Sequence, residues 1–176
     1  LSSPLKILSK YLGVKESQIE TKERKAKLGN IAIPTDKDNY MLINFRGGVR
    51  TFRCVPYYQV YEGIAEPSFF KDKIVLVGMF TETIPIDIHP APFTRVSGFR
   101  MPGIEVLANA IYTILHQDFL HPLGRRNNNL ILLFLGLLTG LLSYRLSFLK
   151  ALLVSFLEMI IFATLVIFLF INQKML

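Results

Sequence analysis

Of the 20 Lys and Arg and 13 Asp and Glu residues, only Arg145, Lys150, Glu158 and Lys174 lie beyond Asn127. A chain divided in this way is a water-soluble stretch followed by apolar segments, and no single evenly mixed globule fits it. The run from Leu130 reads LILLFLGLLTGLL. Extended to Leu146, it would make a helix of about 25 Å at 1.5 Å per residue, short for a bilayer unless Tyr144 and Arg145 sit in the interface. Residues 151–171 form a longer apolar run, interrupted by Ser155, Glu158 and Thr164. Neither run has the polar face of a buried helix pair in a soluble core, so both read as transmembrane helices (130–146 and 151–171). They are joined by a short link, 147–150, and followed by the end segment 172–176.

Glu158 lies about two turns into the second run, where a carboxylate is expensive unless it contacts another helix or reaches an interface. Gly136 and Gly140 have a spacing that permits close helix approach. Arg125 and Arg126 precede the first run, and Arg145 and Lys150 follow it. Basic residues on both sides leave the orientation undecided by loop charge.

Residues 1–129 carry 17 basic and 12 acidic residues and are long enough to bury a core. Their positive charge is scattered, and no basic stripe is interleaved with stacking aromatics, so nucleic-acid binding is not expected. The run of Lys22, Arg24, Lys25 and Lys27 reads as a solvated face or loop. Cys54 is the sole cysteine, which leaves the redox compartment open and makes a small packed side chain its ordinary role. The start has no basic leader followed by an apolar run, so the sequence reads as an excerpt without a signal peptide.

Within the soluble part, Ser2-Ser3-Pro4 followed by Leu5, Ile7, Leu8 and Leu12 predicts a capped amphipathic helix ending near Gly13. Residues 30–34 and 40–45 predict two strands of a hairpin around a polar turn. Residues 55–62 predict a short helix stopped by Gly63, and 67–71 a helical turn carrying Phe69 and Phe70 inward. Residues 73–77 form a β-branched run suited to a strand buried on both faces, which points to a parallel or mixed sheet. The proline-rich stretch 84–100 reads as a long loop, and 104–116 as a largely buried helix. On that helix Glu105, Asn109, Tyr112 and His116 make one narrow polar stripe.

The titratable residues Asp87, His89, Glu105, His116 and Cys54 are not arranged in any pattern that supports catalysis. The chain contains no G-x-S-x-G, no H-E-x-x-H, no phosphate-cradling glycine loop and no paired-cysteine zinc pattern. Asp87 and His89 would share a face of an extended segment, which makes a metal site there the minority alternative to a loop-capping or solvent-facing role. No catalytic residue, cofactor or metal is expected.

Four ordered blocks carry a family resemblance. They are Met41-Leu42-Ile43-Asn44-Phe45-Arg46-Gly47, then Glu62-Gly63, then Phe70-Lys71-Asp72-Lys73-Ile74-Val75-Leu76-Val77-Gly78. The last is Met101-Pro102-Gly103-Ile104-Glu105-Val106-Leu107-Ala108-Asn109-Ala110-Ile111. Over residues 29–145 the chain resembles the CHASE2 family of extracytoplasmic input domains. The resemblance implies a bacterial receptor in the cell inner membrane, with residues 1–129 outside as the sensor domain and the link 147–150 inside. It also implies a cytoplasmic effector beyond Leu176 and no enzymatic activity in the chain itself. Asp87 matches the family's aspartate, whereas His89-Pro90-Ala91-Pro92 departs from the usual threonine-proline pair, which weakens any transfer of ligand chemistry to this loop. The expected partners are the membrane, a small-molecule or envelope stimulus, the effector in the same polypeptide and, as an open case, a second copy in a homodimer. A non-sensing structural or partner-docking module is the alternative.

The expected fold is an α/β domain with a single mixed sheet, followed by transmembrane helices. The 40–45 and 73–77 strands should share the sheet, with the 104–116 helix packed on it. A carboxylate, an amide and an arginine on an apolar framework need partners. Arg46, Asp87, Glu105, Asn109, Tyr112 and His116 are therefore the candidate ligand-binding residues of a polar cleft. The competing reading is an Arg46–Glu105 ion pair, with Asn109 satisfying backbone groups.

Overall fold

A computed structural model describes residues 2–22, 24–79, 87–92, 94, 98, 100–121, 125–144 and 146–173. The chain divides into two compact units, Leu1–Phe119 and Leu120–Leu176.

The first unit opens with α1 (Ser3–Tyr11). Ser2 has the extended backbone of an N-cap and Pro4 lies in the first turn, but the Ser2 hydroxyl makes no capping bond. Gly13, at φ +67°, takes the left-handed conformation that ends the segment. Three short strands follow, β1 (Ile19–Lys22), β2 (Lys25–Leu28) and β3 (Ile31–Pro34), in an antiparallel sheet of order β1-β2-β3. The basic run around Lys25 is thus a strand. Lys25 and Lys27 face water, while Ala26 and Leu28 alternate into the core.

The hairpin partner of β3 is therefore β2, with Ala26 opposite Ile33, and not residues 40–45 as the sequence suggested. The polar turn does form. Asp36 Oδ1 accepts the backbone N–H of Asp38 at 2.9 Å and of Tyr40 at 2.8 Å, and Asn39 adopts φ +63°. The chain beyond it joins no ladder among the described residues, and the same holds for residues 74–79. The two expected strands do not share a sheet, and the sheets described are antiparallel, although the α/β character stands.

Helix α2 (Tyr57–Tyr61) and a 3₁₀ turn (Pro67–Phe69) follow, with Gly63 at φ +72° ending the first. Phe69 and Phe70 are half-buried. Two-residue strands β4 (Ile88–His89) and β5 (Met101–Pro102) pair antiparallel. Of the proline-rich stretch 84–100, residues 84–86, 93, 95–97 and 99 lie outside the described residues. Helix α3 (Gly103–Leu115) comes next, capped by His116.

The core gathers Leu8 from α1, Ala26, Leu28 and Ile33 from the sheet, Ile111 and Ile114 from α3, and Phe119. Ile74 and Leu76 pack against it. Each fully buried aliphatic side chain contributes about 1.5–3 kcal/mol, so this small cluster is what fixes α1 and the sheet on α3.

In the second unit, α4 (Arg125–Ser143) and α5 (Phe148–Gln173) pack on each other. The stretch Phe148–Ile171 is long and apolar enough to cross a membrane. Helix α4 spends its first five residues on Arg125, Arg126 and three asparagines, and does not meet that measure. Its contact with α5 runs through Leu135 and Thr139, with Thr139 Oγ1 2.6 Å from Glu158 Oε2. Gly136 and Gly140 do not serve it, since a Cβ at either would meet nothing within 4 Å.

Candidate functional site

Helix α3 begins at a built contact. Asp87 O accepts the Gly103 N–H at 2.8 Å, and the Asp87 carboxylate lies against the Gly103 Cα so closely that any Cβ there would overlap it. Only glycine fits. A carboxylate at the start of a helix is favoured by the exposed N–H groups and dipole of the first turn. Asp87 also meets His89 Nε2 at 2.9 Å, but both side chains are more than half exposed, so the pair adds little. No group of three metal-ligating side chains occurs among the described residues.

Within the same first turn, Glu105 is buried, with 4% of its surface exposed. Its two oxygens are both used, Oε2 accepting the Arg50 N–H at 3.1 Å and Oε1 the Thr51 N–H at 2.9 Å. Next along the same ridge, Asn109 has no exposed surface. Its Oδ1 accepts the Arg46 N–H at 3.0 Å, and its Nδ2 donates to Glu105 O at 2.9 Å. Thr113, equally buried, lies 3.2 Å from the Asn44 N–H and 2.8 Å from Asn109 O through Oγ1.

Three helix side chains thus hold the backbone of residues 44–51. They satisfy groups that a neighbouring strand would otherwise take. The spacing is i, i+4, i+8, the inclined ridge along which an extended chain can cross a helix obliquely.

Tyr112 and His116 leave this ridge. Their rings stack at 3.8 Å with 12° between planes, and His116 Nδ1 donates to Tyr112 O at 3.2 Å. The Arg46 guanidinium lies 4.6 Å from the Tyr112 centroid, and Phe52 meets Tyr112 at 6.1 Å in a tilted arrangement. Two planar groups so near one centroid occupy opposite faces, so the order is Arg46, Tyr112, His116.

Of the six residues expected to share a cleft, the structure therefore brings Arg46, Tyr112 and His116 together at the surface. It places Glu105 and Asn109 beneath the 44–51 backbone. Asp87 sits at the other end of α3, about 13 Å of helix rise from Tyr112. Arg46 does not pair with Glu105; its backbone is held by Asn109 and its side chain by Tyr112. Sequence reasoning missed Thr113, which the i+8 position after Glu105 could have indicated, and Gly103, whose place before Ile104 looked like a simple helix start.

Cys54 is exposed, not the buried packed side chain that the sequence suggested, and its thiol donates to Phe52 O at 3.3 Å. Partial burial pushes the thiol's pKa up. The Glu105 carboxylate raises it further, and Arg50 works in the opposite direction.

The family model for the CHASE2 domain matches residues 1–142. No curated protein and no solved structure matches the chain.

Proposed function

The chain belongs to the CHASE2 domain family, whose members are sensory extracellular domains, and from that membership we propose that it is the input part of a membrane-bound bacterial receptor. The observation that carries this reading is the ridge of Glu105, Asn109 and Thr113, which ties residues 44–51 to α3. Helix α3 is the last helix before the apolar segments, and only residues 116–124 separate it from α4. A stimulus that moved the 44–51 segment would load α3 directly, because three buried side chains connect the two. The signal passes from α3 along the chain to α4 and α5 and from there to a cytoplasmic effector that these 176 residues do not include. The chain itself performs no catalysis. Residues 1–129 face the extracytoplasmic side of the inner membrane and the link 147–150 faces the cytoplasm.

Two experiments test this. In a receptor cleared of Cys54, single cysteines at Asn128 and Ser147 should react with an impermeant maleimide from opposite sides of the membrane. Labelling from one side rejects the topology. In the complete receptor, Asn109→Leu and Arg46→Met should alter effector output beyond what any change in folding stability explains. If output and stability fall together in every variant, the ridge is structural only.

A second reading has its own observation. Helix α2 exposes Tyr57, Tyr58, Val60 and Tyr61, with Tyr61 at 81%, and Ile64 beyond it is also exposed. An apolar surface of this kind suits docking of a partner without any sensing. It predicts that Tyr57→Ser and Tyr61→Ser abolish partner association and that no small molecule changes the output of the complete receptor.

A further inference from the structure

We infer that the outer side of the Arg46–Tyr112–His116 stack is a recognition site for a small carboxylate bearing an apolar or aromatic body. The inference rests on the sensory reading and names the chemistry of its stimulus.

The first argument is preorganisation. The Arg46 backbone is fixed by Asn109 Oδ1 at 3.0 Å, and its guanidinium is laid over Tyr112 at 4.6 Å. Tyr112 is itself backed by His116 at 3.8 Å and flanked by Phe52. A guanidinium held by its face keeps its in-plane N–H donors directed outward in a planar fork, which matches the two oxygens of a carboxylate. The entropy cost of ordering a long side chain is already met before a ligand arrives.

The second argument is charge. The segment from Arg46 to Arg53 reads RGGVRTFR, with three arginines and no acid. The ion pairs found among the described residues are Lys22 with Glu20 and His89 with Asp87, so Arg46 takes part in neither. The one acid on α3, Glu105, has both oxygens committed to the Arg50 and Thr51 N–H groups. The fork at Arg46 therefore has no carboxylate acceptor among the described residues.

The third argument selects the ligand class. The fork lies against one face of Tyr112, with Phe52 beside that ring and His116 on its far face, so what surrounds it is ring edge with few further donors. A phosphate carries close to two charges and is usually met by several donors. A carboxylate carries one charge over two oxygens and is satisfied by one fork, while its apolar body covers ring edges.

The test uses the 176-residue chain in lipid nanodiscs, with benzoate, acetate and inorganic phosphate as probes. Binding is read from the NMR resonances of Arg46 Nε–H and the Tyr112 ring. Benzoate should shift both saturably, at least tenfold more tightly than acetate or phosphate. Arg46→Met should weaken benzoate at least tenfold with the thermal midpoint unchanged. Arg46→Lys, which keeps the charge but loses the fork, should weaken it by at least threefold. Absence of saturable shifts on the unmodified chain, equal binding by Arg46→Lys, or phosphate binding as tight as benzoate would overturn the inference. These arms do not involve an effector, so their failure leaves the sensory reading standing. Binding without any change of output in the complete receptor would sink the sensory reading and leave the site.

Discussion

Asn109 Oδ1 takes the backbone N–H of Arg46 at 3.0 Å, across 63 positions of sequence, from a side chain with no exposed surface. The same amide donates to Glu105 O, so it links the ridge of α3 internally while holding the segment that crosses it. Asn109→Leu leaves the Arg46 N–H and the Glu105 carbonyl without their partner and inserts a branched apolar group. An unsatisfied buried group costs about 1–3 kcal/mol, so the variant should lose roughly that much in urea unfolding. Asn109→Asp should lose at least as much, because it keeps the acceptor but removes the donor one turn from the buried Glu105 carboxylate. A stability within 0.5 kcal/mol of the unmodified chain, by the ordinary measure of a surface substitution at about ±0.5 kcal/mol, would show that residues 44–46 are not held there.

Thr113→Val tests the far end of the ridge. It is close in shape but lacks the hydroxyl that meets both Asn44 and Asn109 O. We expect a cost of about 1 kcal/mol, and less than the sum of the single costs when combined with Asn109→Leu, since the two side chains share one network. Strict additivity would mean that they act separately.

The contact between Asp87 and Gly103 predicts a compensation. Gly103→Ala places a methyl group against the Asp87 carboxylate and should destabilise by about 1–3 kcal/mol, the usual range for overpacking. Removing the carboxylate in Asp87→Ala should recover most of that loss. If Gly103→Ala costs the same in both backgrounds, the clash is with the backbone and the carboxylate is not the cause.

These relationships also show what could be read from the sequence. The apolar period of α3, the proline at the start of α1 and the 151–171 run are local signals, and each produced its helix. The strand β2 was hidden because Lys25 and Lys27 dominate its composition, although Ala26 and Leu28 alternate with them toward the core. Residues 40–45 have strand character in their side chains. Nothing local says that their N–H groups go to helix side chains, and those partners lie 63 and 69 positions away. The polar stripe of α3 was legible as a set, but not its division. The 44–51 segment takes its hydrogen bonds from Glu105, Asn109 and Thr113 on one ridge and leaves Tyr112 and His116 on its flank.

Cys54 reports on the same region in solution. Burial and the Glu105 carboxylate both favour the neutral thiol, and Arg50 offsets them only in part. The thiolate is the reactive form, so alkylation by iodoacetamide should rise with pH along a curve displaced upward from that of an unperturbed cysteine. Glu105→Gln removes a charge that raises the thiol's pKa and loosens the loop it caps, and both changes act in the same direction. Its curve should move to lower pH. A curve moving upward, or not at all, would contradict the proximity of Glu105 to this thiol.

Within the hairpin of α4 and α5, Thr139 Oγ1 lies 2.6 Å from Glu158 Oε2 and 2.9 Å from Leu135 O, while Glu158 Oε1 is shielded and has no hydrogen-bond partner among the described residues. Removing one member of a buried polar pair leaves the other unsatisfied, whereas replacing both by apolar groups can be nearly neutral. Thr139→Val should therefore weaken hairpin packing more than the double substitution Thr139→Val with Glu158→Leu. Hydrogen bonds between membrane helices average about 0.6 kcal/mol and reach about 1.7 kcal/mol, which bounds the expected loss for the single variant. Packing can be measured by steric trapping or by thermal unfolding in nanodiscs. The order of the two variants is the decisive quantity. If the double variant is the weaker, Glu158 contributes net stability through contacts other than Thr139, and the polar pair is not what joins α4 to α5.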